Sequence, residues 1–493
     1  MFKKITDKIL QFTGKESNYE HSDTFYENTD SFLSKDFINF LEKEADRFIG
    51  SKKRSDMLMG ERYYDGRHDI LKRKRTVIGQ GGEITEVSNL PNNIIIDNQY
   101  ARMVDQKNNY LLSKELTFNC EDKLFLQCVK NILDAKFLKI LKGIGQDCFN
   151  CGIGFLYVYY DNYGKLSFKR LTPFEIIPFW KDEEHSVLKF ALRIYEKEVY
   201  IKGDLSVIEK AELFLPEGII RFIIKGKKFI PENNGEIIPY IQYKDQSADF
   251  GKIPIIPFRQ NDRELPLILK IKELQDALNI IQSDFMNNLQ EDARNTILVL
   301  KNYDGTNLGE FRKNLAKYGV VKVKSLDGCD GGVSTLKIDV NCDNFKAVIS
   351  NLKNAVIENA RGIDSKSDKM IGNLSRMNIQ SIYSDIDLDA NSMETEFKSS
   401  FEDLFFFIKF YVKNSGIGDF DSSDIKVIFN RDILINETES IDNCIKSLQI
   451  LSKETVISCH PWINDVLEEE EKLRRSNYDE RSTFENGTIG GAV

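Results

Sequence analysis

Three carboxylates, Asp385, Asp387 and Asp389, stand together in "SDIDLDAN". Carboxylates grouped in this way are what a nuclease gathers around Mg²⁺, because hard divalent cations take oxygen ligands and stabilise charge developing on a phosphate. On a helix, however, Asp385 and Asp389 share a face while Asp387 points elsewhere, so a solvated acidic face is the simpler expectation. A metal-dependent enzyme of DNA processing using Asp385 and Asp389 stands as the alternative function. Other reactive residues are sparse. His21, His68, His185 and His460 are dispersed and suggest neither a triad nor a metal set. Of the cysteines only Cys148 and Cys151, in "CFNC", lie close together. One such pair without a second cluster reads as buried, reduced thiols in a helix. There is no G-x-x-x-x-G-K-[ST] to cradle a nucleotide, and "GIGQDCFNCGIG" at 143–154 lacks the strand–turn–helix spacing of a dinucleotide site. The residues offer no catalytic centre and call for no cofactor and no metal.

Composition narrows the class. The 493 residues carry a net charge of −9, with 41% hydrophobic and 29% charged residues. A protein that grips nucleic acid statically draws its affinity from an excess of Lys and Arg, which is missing. A protein that lets DNA pass would be served by weak contacts. The strongest apolar run, "LFFFIKFYV" at 404–412, contains Lys409. It falls well short of the roughly 20 apolar residues that cross a bilayer, so no membrane is expected. "MFKKITDKILQFTGKES" lacks the apolar core of a signal peptide.

The elements that must position these residues follow from periodicity. "FINFLEKEADRFIGSKKRSDML" is an amphipathic helix. Tyr100, Met103, Val104, Lys107, Tyr110 and Leu111 recur at helical spacing, and a further helix is expected near 122–150. "GFLYVYYDNYGKLSFKRL" then alternates with period two and turns at Asp161-Asn162-Tyr163-Gly164, a hairpin, and more strand-like pieces follow. Residues 25–260 therefore read as an α+β unit. From 264 the pattern changes: Leu267, Ile271, Leu274, Leu278, Ile281, Phe285 and Leu289 approach a heptad seam. A mixed segment follows. A second helix then carries Phe345, Ile349, Leu352 and Val356. After the polar stretch "ARGIDSKSDKMIGNLSRMNIQ" comes a third, marked by Ile382, Ile386, Ala390, Met393, Phe397, Phe401, Leu404 and Ile408.

This order, with the segments "YYDGRHDIL", "PNNIIIDNQYARMVDQKNNYLLSKELTF", "YYDNYGKLSFKRLTPFEIIPFW", "IPIIPFRQNDRELPLILKIKELQDALNIIQSDFMNNLQE" and "VLKNYDGTNLGEFRKNLAKYGVVKV", resembles the portal proteins of tailed bacteriophages, of the type common in phages of Gram-positive hosts. The resemblance covers roughly residues 20–475. It implies a structural protein and no enzyme: a homo-oligomeric ring, usually a dodecamer, at one capsid vertex of the virion, assembled in the host bacterial cytoplasm. Double-stranded DNA would pass through it without sequence specificity. Its partners would be the terminase large subunit, the head–tail adaptor, and the major capsid and scaffolding proteins. The implied fold is α+β: an arm (1–24), wing (25–263), first stem helix (264–292), clip (293–341), second stem helix (342–361), tunnel loop (362–376), long helix returning into the wing (377–435), helical crown (436–475) and disordered tail (476–493).

The resemblance also implies roles for residues. Leu267, Ile271, Leu274, Leu278, Ile281 and Phe285 would pack the stem. Arg312, Lys313, Lys317, Lys322 and Lys324 would bind partners at the clip. Asp364, Lys366, Asp368, Lys369, Asn373 and Arg376 would face DNA from the tunnel loop. Charge is distributed accordingly: residues 341–376 hold six Lys or Arg against four acids, net +2, and residues 377–403 hold seven acids against Lys398, net −6. A ring repeats every charge, so a mixed loop beside an acidic surface would brush phosphates without binding them tightly. A coiled-coil scaffold of two or three chains is a third reading, disfavoured by the large units that flank a short seam.

Overall fold

The computed structural model describes residues 32–78, 82–88, 90–201, 203–243, 246–292, 297–301, 332–336, 342–364, 376–431 and 437–475, the last without 464, 465, 467 and 468. The chain is mixed α+β. Helix α1 (Lys35–Ile49) begins at Ser34, whose hydroxyl accepts the Phe37 amide at 3.2 Å, and it buries Phe37, Leu41, Ala45 and Phe48 along one face. After α2 (Lys52–Tyr64) come a small hairpin of β1 (Thr76–Ile78) and β2 (Ile84–Glu86), then α3 (Gln99–Leu112). Tyr100, Met103, Val104, Lys107, Tyr110 and Leu111 of α3 are all buried, as their spacing predicts.

Strand β3 (Thr117–Cys120) precedes α4 (Lys123–Ile132) and α5 (Ala135–Cys151), which replace the single helix expected over 122–150. Asp122 and Asp134 are the cause: each carboxylate accepts two backbone amides and so starts its own helix. The expected hairpin forms from β4 (Ile153–Tyr160) and β5 (Leu166–Leu171), with the Asp161 carboxylate accepting the Tyr163 and Lys165 amides across the turn. Then follow β6 (Ile176–Trp180), β7 (Leu188–Ile201), β8 (Asp204–Leu215), β9 (Gly218–Lys225), β10 (Lys228–Pro231), β11 (Ile241–Tyr243), β12 (Gln246–Ala248) and β13 (Ile255–Arg259). Helix α6 (Ile268–Asp292) starts past Pro266, later than the sequence pattern placed it. The remainder comprises β14 (Ile297–Lys301), β15 (Gly332–Leu336), α7 (Cys342–Asn359), α8 (Arg376–Asn414), β16 (Ile425–Ile428), α9 (Glu437–Ser447) and α10 (Lys453–Ser458).

By contacts the chain forms two compact units, one of residues 1–61, 107–267 and 374–493, the other of 62–106 and 268–373. The first holds a five-stranded sheet of order β10-β9-β8-β7-β6 and a three-stranded sheet of order β13-β4-β5, both antiparallel. Phe155, Ile177, Phe179, Phe190, Leu213 and Phe222 belong to its principal core. The stripe expected on the third helix is the buried face of α8. Phe401 there lies 5.8 to 6.5 Å, ring to ring, from Phe118, Phe137, Phe258, Phe405 and Phe429. The second unit contains α6, α7, the paired strands β14 and β15, and residues 62–106.

Candidate functional site

In the second unit, α6 carries Gln275, Asn279, Ser283 and Asn287, four polar residues four positions apart, each fully buried. An extended segment of residues 91–98 runs along them. Asn287 Oδ1 accepts the Asn93 amide at 2.7 Å, Ser283 Oγ the Ile95 amide at 3.0 Å, Asn279 Oδ1 the Asp97 amide at 3.0 Å and Gln275 Oε1 the Tyr100 amide at 3.0 Å. The match is geometric. Four helical residues rise about 6.0 Å and two extended residues about 6.6 Å, so the alternate amides of 93, 95 and 97 meet successive rungs, and the fourth rung takes the Tyr100 amide at the start of α3. Each rung satisfies a backbone donor that burial would otherwise leave unpaired.

The ladder is braced on both sides. Asn279 Nδ2 donates to His68 Nδ1 at 2.7 Å, and His68 Nε2 lies 3.0 Å from the Tyr63 carbonyl. Both contacts are satisfied by one neutral tautomer, and burial lowers the His68 pKa in the same direction. Asp97 accepts from Gln282 Nε2 and Lys353 Nζ, both at 2.7 Å. Burial opposes its charge, and these donors, with Gln99, hold its pKa below the ordinary value. On α6 the apolar seam is graded: Ile271 and Leu278 are buried, while Leu274, Ile281 and Phe285 are half-buried, and Leu267, buried as well, lies just ahead of the helix. The Phe285 ring stacks on Phe345 of α7 with centroids 4.9 Å apart.

The same unit pins the start of the polar stretch that follows α7. Gln106 takes both backbone groups of Ile363, accepting its amide at 2.7 Å and donating to its carbonyl at 2.8 Å. Arg102 pairs with Asp364 at 3.8 Å. Of the residues expected to face DNA, Asp364 is therefore an anchored residue. Arg376 opens α8, and Lys366, Asp368, Lys369 and Asn373 lie outside the described residues, as do Arg312, Lys313, Lys317, Lys322 and Lys324.

In the first unit the acidic turn of α8 differs from expectation. Asp389 does not sit on a solvated face with Asp385: its carboxylate pairs at 2.8 Å with Lys107, itself buried. Asp387 accepts the Tyr110 hydroxyl at 2.7 Å and pairs with Arg431, whose other nitrogen reaches Glu394 at 2.8 Å. Only Asp385 is exposed. These carboxylates are neutralised by protein cations, the opposite of the open anionic cluster that a divalent ion requires. Among the described residues, no group of three or more His, Cys, Asp or Glu could hold a metal ion. The pair Cys148 and Cys151 is buried in α5, and burial pushes both thiols well above the ordinary value, as befits inert core residues.

The family described as "Phage portal protein, SPP1 Gp6-like" matches residues 49–482. The chain belongs to this family of phage portal proteins. The portal protein of Bacillus phage SPP1 is 28% identical over 421 residues, 84% of this chain and 82% of that relative. The portal protein of Clostridium phage phiCD119 is 26% identical over 436 residues, 85% of this chain and 92% of that relative. The expectation of a phage portal function in DNA packaging is met by these matches. No described helix of this portal chain is long and apolar enough to cross a membrane.

What sequence reasoning missed in the portal chain is the polar ladder. The signal was present: four polar residues at intervals of four, forming their own row on the helix beside the apolar seam, and an Asn-rich segment, "PNNIIIDNQ". A second missed site is Glu264, nearly fully buried ahead of α6. It accepts from Lys53, and from His185 Nδ1 at 2.9 Å. Burial opposes its charge, yet Lys53 and the hydrogen bond from His185 lower its pKa to about 2. Its carbonyl would lie 2.0 Å from a Cβ at position 152, where φ is +82°, so only glycine fits there.

Proposed function

We propose that the chain closes into a homo-oligomeric ring, expected to be a dodecamer, at one capsid vertex, and that double-stranded DNA enters and leaves the head through its centre without sequence readout. In this reading α6 and α7 are the stem. Residues 293–341 are the clip, which seats the terminase during packaging and the head–tail adaptor afterwards. Residues 362–376 form the tunnel loop, α8 returns into the wing, and 436–475 form the crown. Capsid and scaffolding proteins would meet the outside of the ring, and its assembly would take place in the host cytoplasm. The packaging energy would come from the terminase.

The observation that carries this reading is the anchored stem loop. Gln106 fixes Ile363 by its backbone, so charges beyond it are presented from a defined root. Exposed apolar side chains support the ring: Leu269, Ile280, Met286 and Leu289 on α6 and Val348 on α7 are each about two-fifths exposed. Near the C-terminus Ile445, Leu448, Ile450 and Trp462 are more than half exposed. Such surface is what a head-to-tail neighbour covers when a heterologous interface closes on itself. The test replaces Lys366 and Lys369 by Glu. The expected outcome is intact particles with DNA packaging reduced at least ten-fold; wild-type packaging and retention would refute a DNA-touching loop.

A further inference from the structure

The β7–β8 hairpin outgrows its sheet. β6 pairs with β7 only from Leu188 to Arg193, and β9 with β8 only from Lys210 to Leu215. Beyond them, among the described strands, Glu196–Ile201 and Asp204–Glu209 pair only with each other. A lone two-stranded ribbon is marginal in water. The register places Glu196, Glu198 and Tyr200 opposite Glu209, Val207 and Leu205 on one face. Tyr200 is 78% exposed, Val207 57% and Leu205 54%, and all three glutamates are exposed as well. Glu196 stands directly across from Glu209, a like-charge pairing that weakens an isolated ribbon. The face thus combines an apolar tip with a band of three carboxylates. Among the described residues, no cation pairs with them.

We propose that this face is the docking surface for the chain's own N-terminal segment, residues 2–15. That segment, "FKKITDKILQFTGK", carries Lys3, Lys4, Lys8 and Lys15 against Asp7 alone, with Phe2, Ile5, Ile9, Leu10 and Phe12 between them. It is complementary to the ribbon in both charge and apolar content. The next block is not: residues 16–31 hold Glu16, Glu20, Asp23, Glu27 and Asp30 and no Lys or Arg, so the glutamate band repels them. The basic block is the occupant and the acidic block the tether.

The distances favour the same chain over a neighbour. The Phe32 ring lies 5.5 Å from that of Phe37, which lies 5.7 Å from Phe190 at the foot of β7, so the tether is rooted beside the ribbon. From Phe190 to Glu196 is about 20 Å along the strand and to Tyr200 about 33 Å. Sixteen residues span about 22 Å root-mean-square as a coil and about 55 Å at full extension. The tether matches the glutamate band without strain. It holds the lysines at an effective concentration on the order of millimolar, which suits a contact of modest intrinsic strength.

Carbodiimide coupling on the purified full-length chain tests this, because it joins a Lys amine to a carboxylate only when the two already touch. The expected result is amide links from Lys3, Lys4 or Lys8 to Glu196, Glu198 or Glu209 in peptides recovered from the monomer-mass band of a denaturing gel. A second readout needs no carboxylate chemistry: hydrogen exchange at residues 2–12 is expected to quicken at least five-fold in the triple variant E196Q/E198Q/E209Q. The proposal is overturned by the absence of these links, by their appearance only in dimer-mass bands (a neighbouring copy as occupant), or by unchanged exchange.

Discussion

The two units are held together by different means. The unit containing α8 relies on aromatic packing: Phe401 meets five other rings, and Phe397, Phe258 and Phe250 extend the same stripe. The unit containing α6 relies on side-chain amides that accept backbone N–H groups. Apolar packing is non-directional and degrades gradually when a shape changes. A hydrogen-bonded ladder is directional, and its register is fixed by two rises that nearly agree. The first suits a body that must stay whole. The second holds an extended segment at a set height along a helix.

The sharpest way to break the contrast is Phe401→Ala. Losing a ring packed against five others is expected to cost about 3–5 kcal/mol, read as a fall in denaturation midpoint. A loss below about 1 kcal/mol would mean that the aromatic stripe is not the main support of its unit.

Glu264 offers a pH test in the same unit. Its carboxyl is more acidic folded, at about 2, than the ordinary value of 4.5, so the unfolded chain binds the proton first as pH falls. Its contribution, on the order of 3 kcal/mol, is complete above about pH 4.5 and drains away toward about pH 2. Chemical denaturation between pH 7 and pH 3 should show this loss. Glu264→Gln should be less stable at pH 7 and should flatten the profile; a parallel profile would remove the buried charge from the account.

For the ladder, Asn279→Ala strands the Asp97 amide and His68 Nδ1 in a buried place. The expected cost is about 2–3 kcal/mol, with faster hydrogen exchange at residues 93–100. Exchange unchanged there would mean that the rungs are dispensable. The smallest effect is expected from Gln106→Ala, about 1–2 kcal/mol and local. It should loosen Ile363 in hydrogen exchange and leave the global midpoint nearly intact; no local change would remove the anchor.

The same division explains what could be read from sequence. Leu404, Ile408 and the phenylalanines of α8 declare themselves because apolar residues at helical spacing have one economical reading. The Asp161–Gly164 turn is equally plain. Gln275, Asn279, Ser283 and Asn287 are the reverse case: polar side chains are ordinarily solvated, and only the unmet donors of a segment nearly two hundred residues away reveal their use. The break between α4 and α5 was hidden because Asp134 is a cap only if the chain turns there. Asp389 reads as part of a solvated face because its cation, Lys107, is distant in sequence, as Arg431 is from Asp387. Local order was legible; long-range pairing was not.

In the proposed ring these units build a channel. The most direct measurement is the mass and shape of the purified chain, by native mass spectrometry and negative-stain imaging. The expected result is a closed ring with a central hole wide enough for duplex DNA. A chain that stays monomeric or dimeric at every concentration, and remains so when supplied with scaffolding and capsid proteins, would contradict it.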